Sequence, residues 1–358
     1  MTIPLARQPR GAVRLNGELM TGWVSFDVDN NSFYQADTFR VVFAVTALPK
    51  DKGADWFAKQ TSIECEILAG FPKTPDSFNP EELKVLIFGK VDDINYNPAT
   101  FEIELSGRDL TSAFIDAKTT EKFQNLTSSK IVEQIASRRG LKPVVTPTKT
   151  VVGTYYQIDH ADISEQRTEW DLLTYLAAKE QYSIFVSGKE LHFSPLPSAT
   201  DTPYLLKWEQ PTKDHGFPIF NGKSIAFSHS LTLSKGVAVT VRSWNQKQKK
   251  GFTVYYPHKP KDSDQAYSFT VPNKTHEEAL QIAQTKHKEI TKHEIKVMVE
   301  LPGDNDLTIS SVLKVEGTLT DFDQIYYVDS VTRQMSFNEG YTMAVNGKNI
   351  AHGSVNNE

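Results

Sequence analysis

Residues 91–109 read Val91-Asp92-Asp93-Ile94, a turn, then Phe101-Glu102-Ile103-Glu104-Leu105-Ser106-Gly107-Arg108-Asp109. The same pattern returns near the other end of the chain. There it reads Val328-Asp329-Ser330-Val331, a turn, then Tyr341-Thr342-Met343-Ala344-Val345-Asn346-Gly347-Lys348-Asn349. The offset is 237 residues before the turn and 240 after it, so the second copy carries three more turn residues. Both stretches alternate apolar and polar side chains, the period of a strand with one buried face. Both close on Gly, a basic residue, and Asp or Asn. Upstream, the two long strands within 24–45 have a counterpart in 227–241. Amphipathic hairpins resemble one another through their period alone, so superposition of the remaining strands is the test. The alternative is two copies of one β-unit in a single chain, the second interrupted by an insertion of roughly 243–294.

Outward from the first hairpin, residues 1–115 read as strands. Asn16-Gly17 signals a hairpin after residues 13–15, and Trp23, Val24, Phe26 and Val28 run into the turn cluster Asp29-Asn30-Asn31. Residues 39–45 form a second long strand, and 54–60 a short helical turn around Trp56 and Phe57. Period two in 63–67 places Cys65 inward with Ile63 and Ile67. A Pro-rich loop precedes 85–88, and 89–94 leads to a turn at Pro98. About six strands so spaced predict a small closed barrel or sandwich.

Near residue 116 the period becomes helical. Residues 127–139 form a helix with Ile131, Val132 and Ile135 on one face and Gly140 at its C-terminal cap. A second helix, 168–180, opens with the capping box Thr168/Asp171 and buries Trp170, Leu173, Leu176 and Ala177. A hairpin over 182–193 completes a compact α+β module, and a Pro/Ser/Thr-rich linker spans 195–203. β-Structure returns at 227–233 and 237–241. A third helix, from Thr275 with Glu278 at the capping-box position to about Lys292, turns Ala279, Ile282, Ala283 and Ile290 to one face. The predicted division is a first β-domain over 1–115, an α+β module of 116–205 with 243–294, a second β-domain of 206–242 with 295–350, and a tail, 351–358.

Composition narrows the function. At 358 residues, with roughly 150 per domain, the chain holds two to three domains and needs no disulfide or metal staple. Lys and Arg number 39 against 44 Asp and Glu, a net charge of −5, so the basic surplus of a nucleic-acid-gripping protein is absent. Aromatic residues make up 11%, with 20 Phe and 13 Tyr, which favours β-structure. Cys65 alone excludes an intramolecular disulfide and a cysteine-based zinc cluster. No apolar run reaches the ~18 residues that would span a bilayer, and the first eleven residues lack a signal-peptide core. The expectation is a chain made in the cytoplasm.

Leu105-Ser106-Gly107-Arg108-Asp109-Leu110-Thr111, followed by Ala113-Phe114-Ile115-Asp116, resembles the corresponding segment of Mu-like contractile phage tail hub proteins, a family that includes the hub part of type VI secretion spike proteins. The segments 168–195 and 326–349 are similar to that family at matching places, and the order is preserved over most of the chain. The resemblance implies a mainly β fold: two tube-like antiparallel β-barrel domains plus a smaller α/β module, three chains forming a pseudo-sixfold ring. It implies a structural baseplate hub, a homotrimeric adaptor between the sixfold tail tube and the threefold central spike. The implied partners are the spike, the tube or a tube-initiator protein and the baseplate wedges. DNA would pass through the channel without specific binding. The implied location is the tail baseplate of a virion, after synthesis in the host cytoplasm. No long C-terminal β-prism like that of the secretion spikes is expected, and the resemblance then implies a separate spike protein.

A search for chemistry names no catalytic, cofactor or metal residue. His287 and His293 are about 600° apart on their helix and point to different sides. His192, between Leu191 and Phe193, is expected outward and solvated. Asp92-Asp93 and Glu81-Glu82 are adjacent pairs, and neighbours on a strand face opposite ways. No Gly-x-Ser-x-Gly elbow or Gly-rich phosphate loop occurs. Cys65 reads as a small core residue, Arg138-Arg139 as partners of a helix dipole, and Lys247, Lys249 and Lys250 as a solvated hairpin tip. The chain is expected not to be an enzyme and to need no cofactor. A cell-wall-directed enzyme or peptidoglycan-binding tail component is the alternative.

Overall fold

The computed structural model describes residues 8–349 except Phe33, Thr120, Lys122, Gln124, Thr150, 153–166, 197–201, 232–235, 246–249, Ser263, Asn273 and 292–294. Strands hold 48% and helices 19% of the chain, so the architecture is mainly β. The first unit has seven strands: β1 (Arg10–Leu15), β2 (Glu18–Met20), β3 (Trp23–Asn31), β4 (Thr38–Ala44), β5 (Glu64–Gly70), β6 (Lys84–Asn97) and β7 (Glu102–Asp109), with helix α1 (Ala54–Ala58) before β5. Asn16 (φ 50) and Gly17 (φ 83) take the left-handed conformations that a two-residue hairpin needs, and they set Leu15 opposite Glu18. Side chains of one phase, among them Val13, Phe26, Val28, Val41, Phe43, Ile67, Ile103 and Leu105, fill the core with Phe57 of α1. Each such fully buried apolar side chain contributes roughly 1.5–3 kcal/mol. The strand expected in two pieces around Gly89 is continuous. A Cβ there would lie 2.2 Å from the Arg108 carbonyl oxygen, so only glycine lets β6 pass β7 so closely.

Helix α2 (Ser112–Ile115) leads into the α+β module, made of β8 (Lys118–Thr119), β9 (Leu126–Thr127), α3 (Ser128–Arg138), β10 (Lys142–Val145), β11 (Val151–Val152), β12 (Arg167–Thr168), α4 (Glu169–Glu180), β13 (Tyr182–Ser187) and β14 (Glu190–Pro195). Thr127 caps α3, Gly140 (φ 74) follows it, and the Thr168/Asp171 capping box opens α4. Both helices pack Ile131, Val132, Ile135, Leu173 and Leu176 against Leu191 and Phe193 of the hairpin. Strand β10 pairs in parallel with β14, an addition that period alone did not reveal. The Trp170 Nε1 donates to the Tyr34 carbonyl at 2.6 Å, tying the module to the first unit.

The chain continues through β15 (Tyr204–Glu209), β16 (Ile219–Phe220) and β17 (Ser224–His229). It then departs into β18 (Val237–Asn245), β19 (Lys250–Tyr256), β20 (Gln265–Thr270) and α5 (His276–Thr291), and returns as β21 (Ile295–Pro302), β22 (Val312–Glu316), β23 (Ile325–Ser336) and β24 (Gly340–Lys348). Strand order in the first unit is β2-β1-β5-β6-β7-β4-β3, and in the second β16-β15-β22-β23-β24-β21-β17. Position for position these are one order. Pairings agree in direction except that β15 runs parallel to β22 where β1 runs antiparallel to β5. The register agrees as well. Val91 faces Gly107 and Val328 faces Gly347, and a bulge follows at once in both strands, between Val91 and Asp93 and between Val328 and Ser330. The internal echo is therefore a duplicated fold unit.

Two expectations are corrected. The counterpart of β4 is β21, not residues 237–241: β18 pairs with β19 and β20, and its Val237, Val239 and Val241 pack on Ala279 and Ala283 of α5 in a core of their own. The interruption thus begins directly after β17 rather than near 243, and it does not share the core of residues 116–195. Alternation alone could not tell these strands apart, because both sheets bury one face. Secondly, neither unit closes into a ring of paired strands among the described residues. The outer edge of β3, which a closed barrel would return to β2, is occupied by β23: Ser25 to Asn31 pair with Ser336 to Ser330. The two units form one sheet.

Candidate functional site

Across this shared sheet the order β6-β7-β4-β3-β23-β24-β21-β17 is continuous, four strands from each unit in matching sequence. The strand phase opposite the cores gives it a long polar face. Asp27 stands opposite Arg40, Arg40 opposite Ser106, Asn95 opposite Glu104, Thr332 opposite Asp29, and Ser228 opposite Lys296. Carboxylates (Asp27, Asp29, Asp92, Asp93, Glu102, Glu104, Glu300, Asp329) outnumber cations (Arg40, Lys90, Arg108, Lys296, Lys348) along it. Arg40 reaches Glu104 at 2.5 Å and Asp27 at 3.5 Å, and Arg108 grips Asp92 through two bonds of 2.7 and 3.0 Å. The hydrogen bonds that the guanidinium groups donate to these carboxylates push both pKa values further up, so each cation is paired within the face. In the second unit Lys348 meets Asp329 at 2.6 Å, at the positions equivalent to Arg108 and Asp92.

Each unit has a hollow at its bulge. The first, about 620 Å³, is lined by Asp27, Asp29, Thr38, Arg40, Asp92, Asp93, Ser106, Gly107 and Arg108, with Thr332 and Gln334 contributed by β23. The second, about 340 Å³, is lined by Ala226, Ser228, Lys296, Met298, Asp329, Asn346, Gly347 and Lys348, the equivalent positions. The bulge also corrects the reading of Asp92-Asp93. The extra residue breaks alternation, so both carboxylates line one hollow, where Arg108 neutralises Asp92.

Beneath the β3/β23 joint lies a buried polar brace. Arg333 donates to Asn30 Oδ1 at 2.8 Å and to the Leu307 carbonyl; Asn30 Nδ2 donates to Asp37 at 2.7 Å, and the Asn31 N–H donates to Asp37 at 2.8 Å. Burial raises Asp37 to about 6, and burial plus the Asp37 charge holds Asp109 well above the carboxylate range. Burial lowers Arg333. A cavity of about 550 Å³ lies beside these groups, between the first unit, the 185–189 hairpin tip and residues 305–310. The sequence search did not single out the brace. Its signal was available: Arg333 occupies an apolar-phase position between Val331 and Met335, both buried.

The other residues weighed from sequence are dispersed. Cys65 is fully buried, and burial pushes its thiol up. His192 stands on the outward phase between buried Leu191 and Phe193, as expected, but it is only partly solvated: it stacks on Phe185 at 4.8 Å, and burial lowers its pKa. Arg138 and Arg139 do more than meet a dipole, since both pair with the buried Glu169 at 3.2 and 2.7 Å. Glu81 pairs with Arg14 and Glu82 caps Asn79, so that carboxylate pair does not converge on a site. His287 packs edge-on against Tyr256. His293, Lys247 and Lys249, the linker 197–201 and the tail 351–358 lie outside the described residues, and Lys250 begins β19. Among the described residues no group of three or more His, Cys, Asp or Glu could hold a metal ion, and no helix is long and apolar enough to cross a membrane.

No family model matches the chain, and no curated protein matches it. Solved structures do. A tail protein from Neisseria meningitidis aligns with TM-score 0.72 and 14% identity, over 95% of this chain and 96% of its own. The 43 kDa tail protein of prophage MuSo2 from Shewanella oneidensis aligns with TM-score 0.65 and 16% identity, over 95% and 98%. An Escherichia coli component of the type VI secretion system, described as structurally similar to T4 bacteriophage tail proteins, aligns with TM-score 0.53 and 10% identity, over 96% and 78%. The chain has the fold of these phage tail and secretion-system proteins, as the resemblance in its sequence implied.

Proposed function

We propose that a chain with this fold serves as the baseplate hub of a contractile phage tail or tailocin. Three copies form a ring around a channel and join a sixfold tail tube to a threefold central spike. The observation that carries this reading is the duplicated seven-strand order. Two quasi-equivalent units per chain give a trimer six similar positions, so one assembly can meet both symmetries. The polar sheet face lines the channel. Its engaged cations and acidic excess suit a conduit for a polyanion, because a lumen that gripped each phosphate would hold back what it must pass. Three chains at −5 each carry −15, in the same sense. The role is structural, within the virion baseplate, alongside a separate spike, the tube or its initiator, and the wedge proteins.

A symmetry-averaged image of the purified protein at high concentration tests this. A threefold ring with six similar lobes around a channel wide enough for double-stranded DNA is expected. A ring that does not contain both units of each chain overturns the hub, and release of reducing sugars from purified cell wall would replace it with an enzyme.

A further inference from the structure

We propose that the outer edge of β17 takes residues 93–97 of β6 from a second copy of the chain. This new antiparallel joint repeats, between chains, the β3/β23 joint seen within one. The inference deepens the ring reading by naming the surface and register on which the ring closes.

The two units are equivalent strand for strand, and one joint predicts the other. Within the chain, the edge of β3 is covered by residues 330–336 of β23. The counterpart of β3 is β17, which among the described residues pairs only with β21, along its other edge. The counterpart of residues 330–336 is 93–99. Strand β5 covers β6 only as far as Lys90, so the edge of 93–97 has no strand beside it among the described residues. One chain thus offers both halves of a joint it already makes once. They lie at opposite ends of its sheet, where they cannot meet within the chain. A head-to-tail contact of this kind closes into a ring when its successive rotations complete a full turn, as the threefold assembly proposed above requires.

The two hollows say the same. The first is completed by Thr332 and Gln334, which arrive across the joint from β23. The second lacks that wall, and the equivalent residues, Asn95 and Asn97, stand exposed on β6. In the joint, Asn95 falls opposite Ser228, as Thr332 falls opposite Asp29, where the two side chains are hydrogen-bonded at 2.6 Å. On the other face Tyr96, 46% exposed in the single chain, falls opposite Phe227 and is covered.

Paired cysteines test the register in the full chain, since Cys65 is buried and does not compete. Under mild oxidation Asn95→Cys with Ser228→Cys should link most chains into species of two and three. Either substitution alone should link none. The offset pair Asn95→Cys with Ala226→Cys should link several-fold more slowly, and Asp29→Cys with Thr332→Cys should close within one chain without changing its mass. Mass in solution by light scattering separates the two readings. Trimers that the Asn95/Ser228 pair fails to link overturn this joint and leave the hub standing. A chain that stays monomeric at every concentration overturns both.

Discussion

Gly107 and Gly347 hold one register position in the two units, yet they have different clearances, and alanine at each should give different costs. At Gly107 an added Cβ would lie 2.1 Å from the Lys90 carbonyl oxygen and 2.6 Å from the Phe39 ring. Neither neighbour can yield cheaply: one is backbone in the adjacent strand, the other a buried ring. At Gly347 the nearest atoms are a Val297 methyl at 3.0 Å, Tyr326 Cβ at 3.2 Å and the Tyr327 carbonyl oxygen at 3.3 Å. A shift of a few tenths of an ångström suffices there. Overpacking of a tight site costs about 1–3 kcal/mol, and Gly107→Ala belongs at the upper end. Alanine in a strand regains roughly 0.5–1 kcal/mol of unfolded-state entropy, because neither glycine has a positive φ. The net expectation is a loss of about 2 kcal/mol for Gly107→Ala and about zero for Gly347→Ala. Urea unfolding of both variants, followed by the transition of the affected unit, measures the difference. Equal effects within about 0.5 kcal/mol, or a neutral Gly107→Ala, would refute the claim that the close approach at the first bulge is fixed by glycine.

Two further outcomes follow from buried groups. Cys65, fully buried on β5 with its thiol pKa raised by burial, should react with a thiol reagent far more slowly in the native protein than in the unfolded chain; comparable rates would mean the strand presents its other face. Asp37 is raised to about 6 in the folded state, so its contribution to stability is full below the ordinary carboxylate value near 4 and is lost as pH rises through 6. Thermal scans from pH 4 to 7 should show this decline, and Asp37→Asn should flatten it; an unchanged slope in the variant would remove Asp37 as its source.

Much of the fold was legible in the sequence because hairpins and helix caps are local. Asn16-Gly17, the Thr127 and Thr168 caps and the alternation of 63–67 each specify geometry within a few residues, and each stands as read. The echo at offset 237 was legible too, because a repeated glycine and a repeated basic residue recur at matching positions, whereas the bulge that turns Asp92 and Asp93 to one hollow was not. Strand partnership was not. Residues 237–241 alternate as β21 does, and only the distant Ala279 and Ala283 decide that they belong to a different sheet. The joint between β3 and β23 was equally hidden, since it links residues some 300 apart through backbone groups that every sequence possesses.

The points at which the chain leaves its duplicated sheet give the molecule a polarity. The α+β module departs after Asp109 and the inserted unit after His229, and both positions lie at the same ends of their strands, beside Thr38 and Ile295. The opposite ends carry the tight turns after Asn97 and Ser336, the links that follow Ala44 and Pro302, and the short links that lead into Trp23 and Ser224. The helical module and the inserted unit are thus gathered at one rim, while the other rim differs between the halves mainly by the helix α1 in the link after Ala44. If three copies form the proposed ring, the rim without the two insertions comes nearer to repeating six times. The decorated rim could present only three of each kind. The direction in which such a hub sits in a tail would then be decided by where two insertions happened to enter a repeated fold.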